Sequence, residues 1–286
     1  MDVIEQHDIS EVHLLIYAYN TYAYTYGGIN RHQEALTYRK KVMSILEEAG
    51  KTGDSDYANM CLNIANTYRF LGEYRKALEL DETTLRLRTK IYGEDSLEYA
   101  KACNNYAYTL CKLERYSESR DYFLKALAIR KKKLSSGSAF VGQSYNNLGI
   151  ALCGTGEFEE ALSCLRKGLE IREAVRPQNK EHIAYSCQAL GELFGKTGNT
   201  EEALNYLNRG INLLEELPIL NRQRSAEIFM IESEIRLKNG EYGRALECAN
   251  RAAVFQDEIN MPEEHPDRLR VNRMCFDLIK MNKNEI

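Results

Sequence analysis

A small residue returns every 42 positions along most of this chain: Ala23, Ala65, Ala107, Gly149, Gly191 and Ser233. A second column, Ala35, Ala77, Ser119, Ala161, Ala203 and Ala245, keeps the same step of 42. Six copies in unbroken register constrain the architecture before any local propensity is weighed, because a repeated unit buries its apolar face against its neighbours. Within a copy the two small residues lie 12 apart and bracket a turn, as in "FLGEYRKAL", "GTGEFEEAL" and "KNGEYGRAL". On either side apolar residues fall at helical spacing, for instance Tyr145, Leu148, Gly149 and Leu152, then Phe158, Ala161, Leu162 and Leu165. The pattern predicts an all-α chain in which each copy is a helix A, a short turn and a helix B.

The period overrides a local signal. Residues 17–28, "YAYNTYAYTYGG", have the aromatic richness and near alternation of an edge strand. In register with the other copies they form a helix A instead. Tyr19, Tyr22 and Tyr26 then face helix B, while Tyr17 and Tyr24 share the opposite face.

Composition narrows the function. A net charge of −4 offers no basic footprint for phosphates, so no nucleic-acid role is expected. No apolar run reaches the roughly 18–20 residues of a membrane span, and "MDVIEQHDIS" has no basic segment followed by an apolar one. The expected compartment is the cytosol, with no membrane contact. Eight cysteines contain no C-x-x-C, and five histidines are scattered, so no metal and no cofactor are expected. There is no nucleophile elbow, no H-E-x-x-H and no phosphate-binding loop, so the chain reads as no enzyme.

Counting helix A from residues 16, 58, 100, 142, 184 and 226, the fourth copy holds Tyr145, Leu148, Gly149, Leu152, Gly156, Phe158, Ala161 and Gly168 at positions 4, 7, 8, 11, 15, 17, 20 and 27. The second holds Cys61, Ile64, Ala65, Tyr68, Gly72, Tyr74, Ala77 and Thr84. This pattern resembles the tetratricopeptide repeat over residues 16 to about 255, with Leu152 departing from the aromatic at position 11. Most such repeats step by 34 residues. The step of 42, with "NNYA" and "NNLG" in helix A, is similar to the kinesin light chain and nephrocystin subtype, although "YGEDSLEYA" lacks the His-Pro common in its linker. The resemblance implies a right-handed superhelical α-solenoid. Residues 1–12 are expected to be an N-terminal tail, 13–265 six repeats, and 266–286 a capping helix forming half of a seventh repeat.

In such a solenoid the A helices form the concave wall, mainly through positions 2, 5, 6, 9, 12 and 13. Those columns hold a run of amides: Asn63, Asn105 and Asn147 at position 6, Asn20, Asn104 and Asn146 at position 5, and Asn66 at position 9. Asparagine is a poor helix former, so the run needs a compensating role. A primary amide both donates and accepts, which suits the backbone of an extended peptide whatever its side chains. In kinesin light chains the corresponding asparagines contact peptide, and the resemblance implies the same here. The alternative is that the amides tie neighbouring A helices together.

Tyr17, Tyr24, Tyr108 and Tyr185 add stacking and hydrogen-bonding surface to that wall. Arg69, Lys101 and Lys112 make its first half positive, whereas Glu192, Glu227 and Glu234, moderated by Lys196 and Lys238, make its second half acidic. That asymmetry favours a partner protein presenting an extended, acidic or carboxylate-terminated segment, against the alternative of merely solvated charges.

Some core positions depart from the pattern. Arg39 and Asp81 both occupy position 24, 42 apart, and are expected to pair with each other. Glu232 and Arg236, four apart on one helix face, are expected to pair locally. Cys61, Cys103, Cys187 and Cys275 read as small buried residues, and Cys111 and Cys153 as nearer the groove. The leading function is a non-enzymatic protein-interaction module. The alternative is the ligand- or peptide-sensing array of a larger signalling protein, of the nucleotide-switched ATPase or peptide-pheromone-receptor type.

Overall fold

Close contact between the two helices of each copy explains the small-residue columns. A Cβ added at Gly149 would lie 2.6 Å from Leu165 Cγ, and one at Gly191 would lie 2.6 Å from Leu207 Cδ2. Where serine replaces alanine or glycine, its hydroxyl is absorbed by the backbone opposite. Ser119 Oγ donates to Ala107 O at 2.8 Å, and Ser233 Oγ donates to Ala245 O at 2.7 Å.

The computed structural model describes residues 9–217 and 221–283, and within them there are thirteen helices and no strand. The chain divides into two compact units, residues 1–129 and 130–286. In the first, α1 (Ile9–Gly28) packs on α2 (His32–Glu48), α3 (Ser55–Phe70) on α4 (Tyr74–Tyr92), and α5 (Leu97–Lys112) precedes α6 (Tyr116–Lys133), which carries the boundary. In the second, α7 (Ala139–Thr155) packs on α8 (Phe158–Ala174), α9 (Lys180–Lys196) on α10 (Thr200–Glu215) and α11 (Arg222–Lys238) on α12 (Tyr242–Glu258), followed by α13 (Pro266–Lys283). Of the tail expected at 1–12, residues 1–8 lie outside the described residues, and 9–12 form the first turn of α1. Residues 284–286 of the expected cap likewise lie outside.

The tyrosine-rich segment is helical. Tyr38 of α2 receives the rings of Tyr19, Tyr22 and Tyr26 at centroid distances of 5.8, 5.1 and 5.6 Å. Tyr17 and Tyr24 stay 71% and 65% exposed.

Junctions between copies are keyed by a second column, at position 31 of helix B. Buried Arg130 donates to Ser144 Oγ at 2.8 Å and to Phe140 O at 3.1 Å on the next helix A. Arg172, 42 residues later, repeats this with Ser186 Oγ at 2.7 Å and His182 O at 2.8 Å. Where position 31 is apolar, position 3 of the next copy is apolar too: Leu46 and Met60 share one core cluster, and Leu214 and Ile228 are both fully buried. Arg88 meets Ala102 instead of serine at the corresponding place, and it turns back to Ser55 Oγ and Asn59 Oδ1 of its own copy at 3.1 and 2.5 Å. Burial pushes the Arg172 guanidinium down to about 10, so its two acceptors offset a real desolvation cost.

This pairing predicts that Ser186→Ile, which takes one of two acceptors from the buried Arg172 guanidinium and the Ser186 donor from buried Asn146, destabilises the second unit by about 2–3 kcal/mol. Adding Arg172→Leu, which copies the Leu214 and Ile228 junction, recovers the arginine's share of that loss in urea unfolding and leaves the share of Asn146.

Candidate functional site

The polar residues of the first unit's A helices converge through one hydrogen-bonded network. Arg69 of α3 donates through Nη1 to Asp81 Oδ2 of α4 and to Thr109 Oγ1 of α5, both at 2.6 Å. Thr109 in turn donates to Asp81 Oδ2 at 2.5 Å, and Arg69 Nη2 donates to Asn66 Oδ1. Asp81 is 1% exposed, its Oδ1 accepts no hydrogen bond among the described residues, and burial raises its carboxyl above the usual range against the pull of Arg69 and Thr109. One junction earlier, Arg39 of α2 donates to Thr67 Oγ1 and to Asn63 O, the latter at 3.2 Å. Arg39 and Asp81 therefore do not pair with each other as expected. Position 24 reaches forward to the threonine at position 10 of the next copy: Arg39 finds both its partners on the following helix A, and Asp81 is shared between Thr109 on the following helix A and Arg69 on its own.

Asn63 and Asn105 lie above this network. Both are half-buried, and their side-chain amides make no hydrogen bond among the described residues. Tyr108 is half-exposed with the Arg69 guanidinium 6.0 Å from its ring, and Lys101 is exposed. Asn20 is half-buried and Lys112 half-exposed. The remaining candidates divide differently. Asn104, Asn146 and Asn147 are 4%, 0% and 4% exposed, so these three amides do not present themselves to a partner. Asn146 Oδ1 accepts from Ser186 Oγ at 2.9 Å, which ties α7 to α9.

Charge in these columns is largely spent on local pairs. Arg69 is held by Asp81, Glu192 pairs with Lys196 at 2.9 Å, Glu227 pairs with Arg224 at 2.7 Å, and Glu234 pairs with Arg270. Glu232 and Arg236 form the expected local pair at 2.7 Å. They help line a cavity of about 390 Å³ between α10, α11 and α12, where Arg236 also meets Glu241 at 2.9 Å. All eight cysteines are free thiols. Cys61, Cys103, Cys153 and Cys187 are buried, and desolvation pushes them up to about 12, 11, 11 and 11, far from a reactive thiolate. No group of side chains suited to a metal ion occurs among the described residues, and no helix there is long and apolar enough to cross a membrane.

Comparison with known proteins settles the family. The profile described as "Tetratricopeptide repeat" matches residues 56–132, 102–174 and 140–216, more than half of the 286 residues. The chain is a tetratricopeptide-repeat protein. Among curated protein sequences none matches it significantly. Among similar solved structures, the Rap protein complexed with Competence and Sporulation Factor superposes with a TM-score of 0.63 at 15% identity, covering 96% of this chain and 77% of that one. The Rap conjugation gene regulator of plasmid pLS20, in complex with the Phr* peptide, gives 0.64 at 13%, covering 98% and 80%. Kinesin light chain nearly identical TPR-like repeats from Podosopora anserina give 0.56 at 18%, covering 69% and 94%. These likenesses show the shared fold.

Sequence reasoning missed Thr67 and Thr109, which accept the arginines of the network. The signal was present: both occupy position 10, 42 apart, where the next two copies carry Ala151 and Leu193. His32, whose ring stacks on Phe70 at 4.6 Å, was missed as well. Burial, with the nearby charge of Arg39 adding to it, lowers His32 from 6.5 to about 4. The unfolded chain therefore binds a proton that the native state refuses across that interval. Stability is expected to fall by about 1–2 kcal/mol as pH drops from about 6.5 to about 4. His32→Phe, which keeps the stack, should flatten that part of the pH profile in thermal melts.

Proposed function

We propose that this tetratricopeptide-repeat protein is a non-enzymatic interaction module that holds an extended segment of a partner protein on the A-helix face of its second and third repeats. One observation carries the reading: Asn63 and Asn105, 42 residues apart on α3 and α5, keep unengaged amides beside a network that fixes the helices presenting them. Two such amides offer a peptide backbone paired donors and acceptors at successive repeats. Tyr108, and at the first repeat Tyr17 and Tyr24, supply aromatic surface beside them. The two Rap structures, described with a factor and a peptide bound, support the reading in that their shared fold accommodates such ligands. The long step of 42, with the asparagines of "NIAN" and "NNYA", supports assignment to the kinesin light chain and nephrocystin subtype.

The acidic preference of the partner rests on less than the charge columns suggest, because Asp81 already neutralises Arg69. Lys101, exposed on α5, is the cation we assign to a carboxylate on the bound segment. Eight cysteines held as free thiols suit a reducing compartment, and we place the protein in the cytosol on that ground.

Peptides selected from a random library against the wild-type protein provide the test. Asn63→Leu, Asn105→Leu should weaken the selected peptides about tenfold, the loss of two modest hydrogen bonds, while the circular dichroism spectrum stays unchanged. Equal affinity for both proteins would remove this face from the account.

A further inference from the structure

The cavity between α10, α11 and α12 exists because the sixth repeat lacks what closes the same place one repeat earlier. There Tyr206 of helix B stacks on Phe194 of helix A with centroids 5.7 Å apart, and Arg209 forms an ion pair with Glu173 of the preceding helix B. A step of 42 turns Tyr206 into Cys248 and Phe194 into Arg236, so that ring pair has no counterpart. The equivalents of the ion pair, Arg251 and Glu215, stay apart. The Arg251 guanidinium lies over the Phe229 ring at 4.0 Å, and Glu215 has no ion pair among the described residues. Both residues line the space of about 390 Å³ that is left, within the ~300–1,000 Å³ range of small-molecule sites.

Part of the charge in this cavity is spent internally. Arg236 holds Glu232 at 2.7 Å and Glu241 at 2.9 Å, and Arg244 meets Glu241 at 3.2 Å, a balanced set of two cations and two carboxylates. Glu215, Glu247 and Arg251 are left over. Glu247 and Arg251 are four apart on α12, in the order that ordinarily pairs on a helix. They form no ion pair among the described residues, and the guanidinium is laid on Phe229 instead. Two carboxylates and one guanidinium thus line a single space whose apolar surface is Phe229 and Ile211, with Glu215 on the wall opposite the other two.

We propose that this cavity is a second binding site, and that its ligand is a free basic amino acid, arginine or lysine. Such a molecule carries two cations and one carboxylate at neutral pH, the complement of what the cavity leaves unpaired. Its α-carboxylate meets Arg251 and its α-ammonium meets Glu247, neighbours on one helix as the two groups are neighbours on one carbon. The side-chain cation reaches Glu215 on the opposite wall, and the methylene stem covers Phe229 and Ile211. A neutral amino acid leaves Glu215 unpaired, and a ligand without a carboxylate leaves Arg251 unpaired. The bound molecule joins α10 to α12 at the place where Arg209 and Glu173 join α10 to α8.

Isothermal titration calorimetry on the full chain tests this with four probes: L-arginine, L-lysine, citrulline, whose side chain is uncharged, and agmatine, which has no carboxylate. The wild type should bind L-arginine or L-lysine saturably at one site, at least tenfold more tightly than citrulline or agmatine. Glu215→Gln should weaken L-arginine about tenfold and leave citrulline unchanged, whereas Arg251→Gln should weaken L-arginine about tenfold and leave agmatine unchanged. Both side chains are exposed, so folding is retained and is checked by circular dichroism. No saturable binding of either basic amino acid, agmatine bound as tightly as L-arginine, or an affinity that both substitutions leave untouched overturns the proposal.

Discussion

The structure depends on one short-range constraint, the approach of helix B to helix A at a column that admits no side chain larger than a methyl or hydroxymethyl group. A Cβ at Gly149 or Gly191 would overlap a leucine of the facing helix, and the serines that occur in the columns return their hydroxyls to the backbone. Close approach lets long side chains on either flank interdigitate at interior density. It also sets the relative placement of the two helices, so that position 31 of one copy meets position 3 of the next. Arginine with serine, or two apolar residues, then satisfy the same geometric slot. The 42-residue step is the sequence record of that slot repeating.

The first unit breaks from this economy at position 24. Later copies fill the column with Leu165 and Leu207, both fully buried, whereas Arg39 and Asp81 bring charge into it. A buried ion pair seldom outperforms apolar packing of similar volume. What the arrangement does provide is direction. Arg69 is fixed from three sides by Asp81, Thr109 and Asn66, and Arg39 is anchored on the backbone of Asn63 itself. The helices that carry the two unengaged amides are thereby locked to each other by bonds with preferred angles, a suitable foundation for presenting those amides at fixed spacing.

The helices, their pairing within copies and the faces taken by the five tyrosines of α1 were legible in the sequence, because small-residue columns and apolar spacing record contacts made inside one copy. Contacts between copies were less legible. Arg69 occupies a wall column and reads as a groove charge, yet its partners are 12 and 40 residues away, on two other helices. Arg39 and Asp81 share a column, which suggested a pair, but column mates point the same way and so meet the next helix rather than each other. Asn20 and Asn146 share position 5 and differ in exposure, since burial is set by the neighbouring repeat and Ser186 reaches the latter. The docking of α13 had no signature in the spacing: Cys275 keeps the 42-residue step from Ser233, yet Gln256 donates to Asp267 O, eleven residues on, where Arg130 and Arg172 reach carbonyls ten residues on, and Leu278 packs on Ala245 and Ala249.

The central claim is that an extended backbone lies across the amides of Asn63 and Asn105. The most direct measurement follows the asparagine side-chain NH₂ resonances by NMR as a library-selected peptide is added to isotopically labelled protein. The account predicts that the Asn63 and Asn105 signals shift together and saturate with the peptide, while that of Asn146, buried against Ser186, stays in place. Saturable binding that leaves Asn63 and Asn105 unmoved would contradict it.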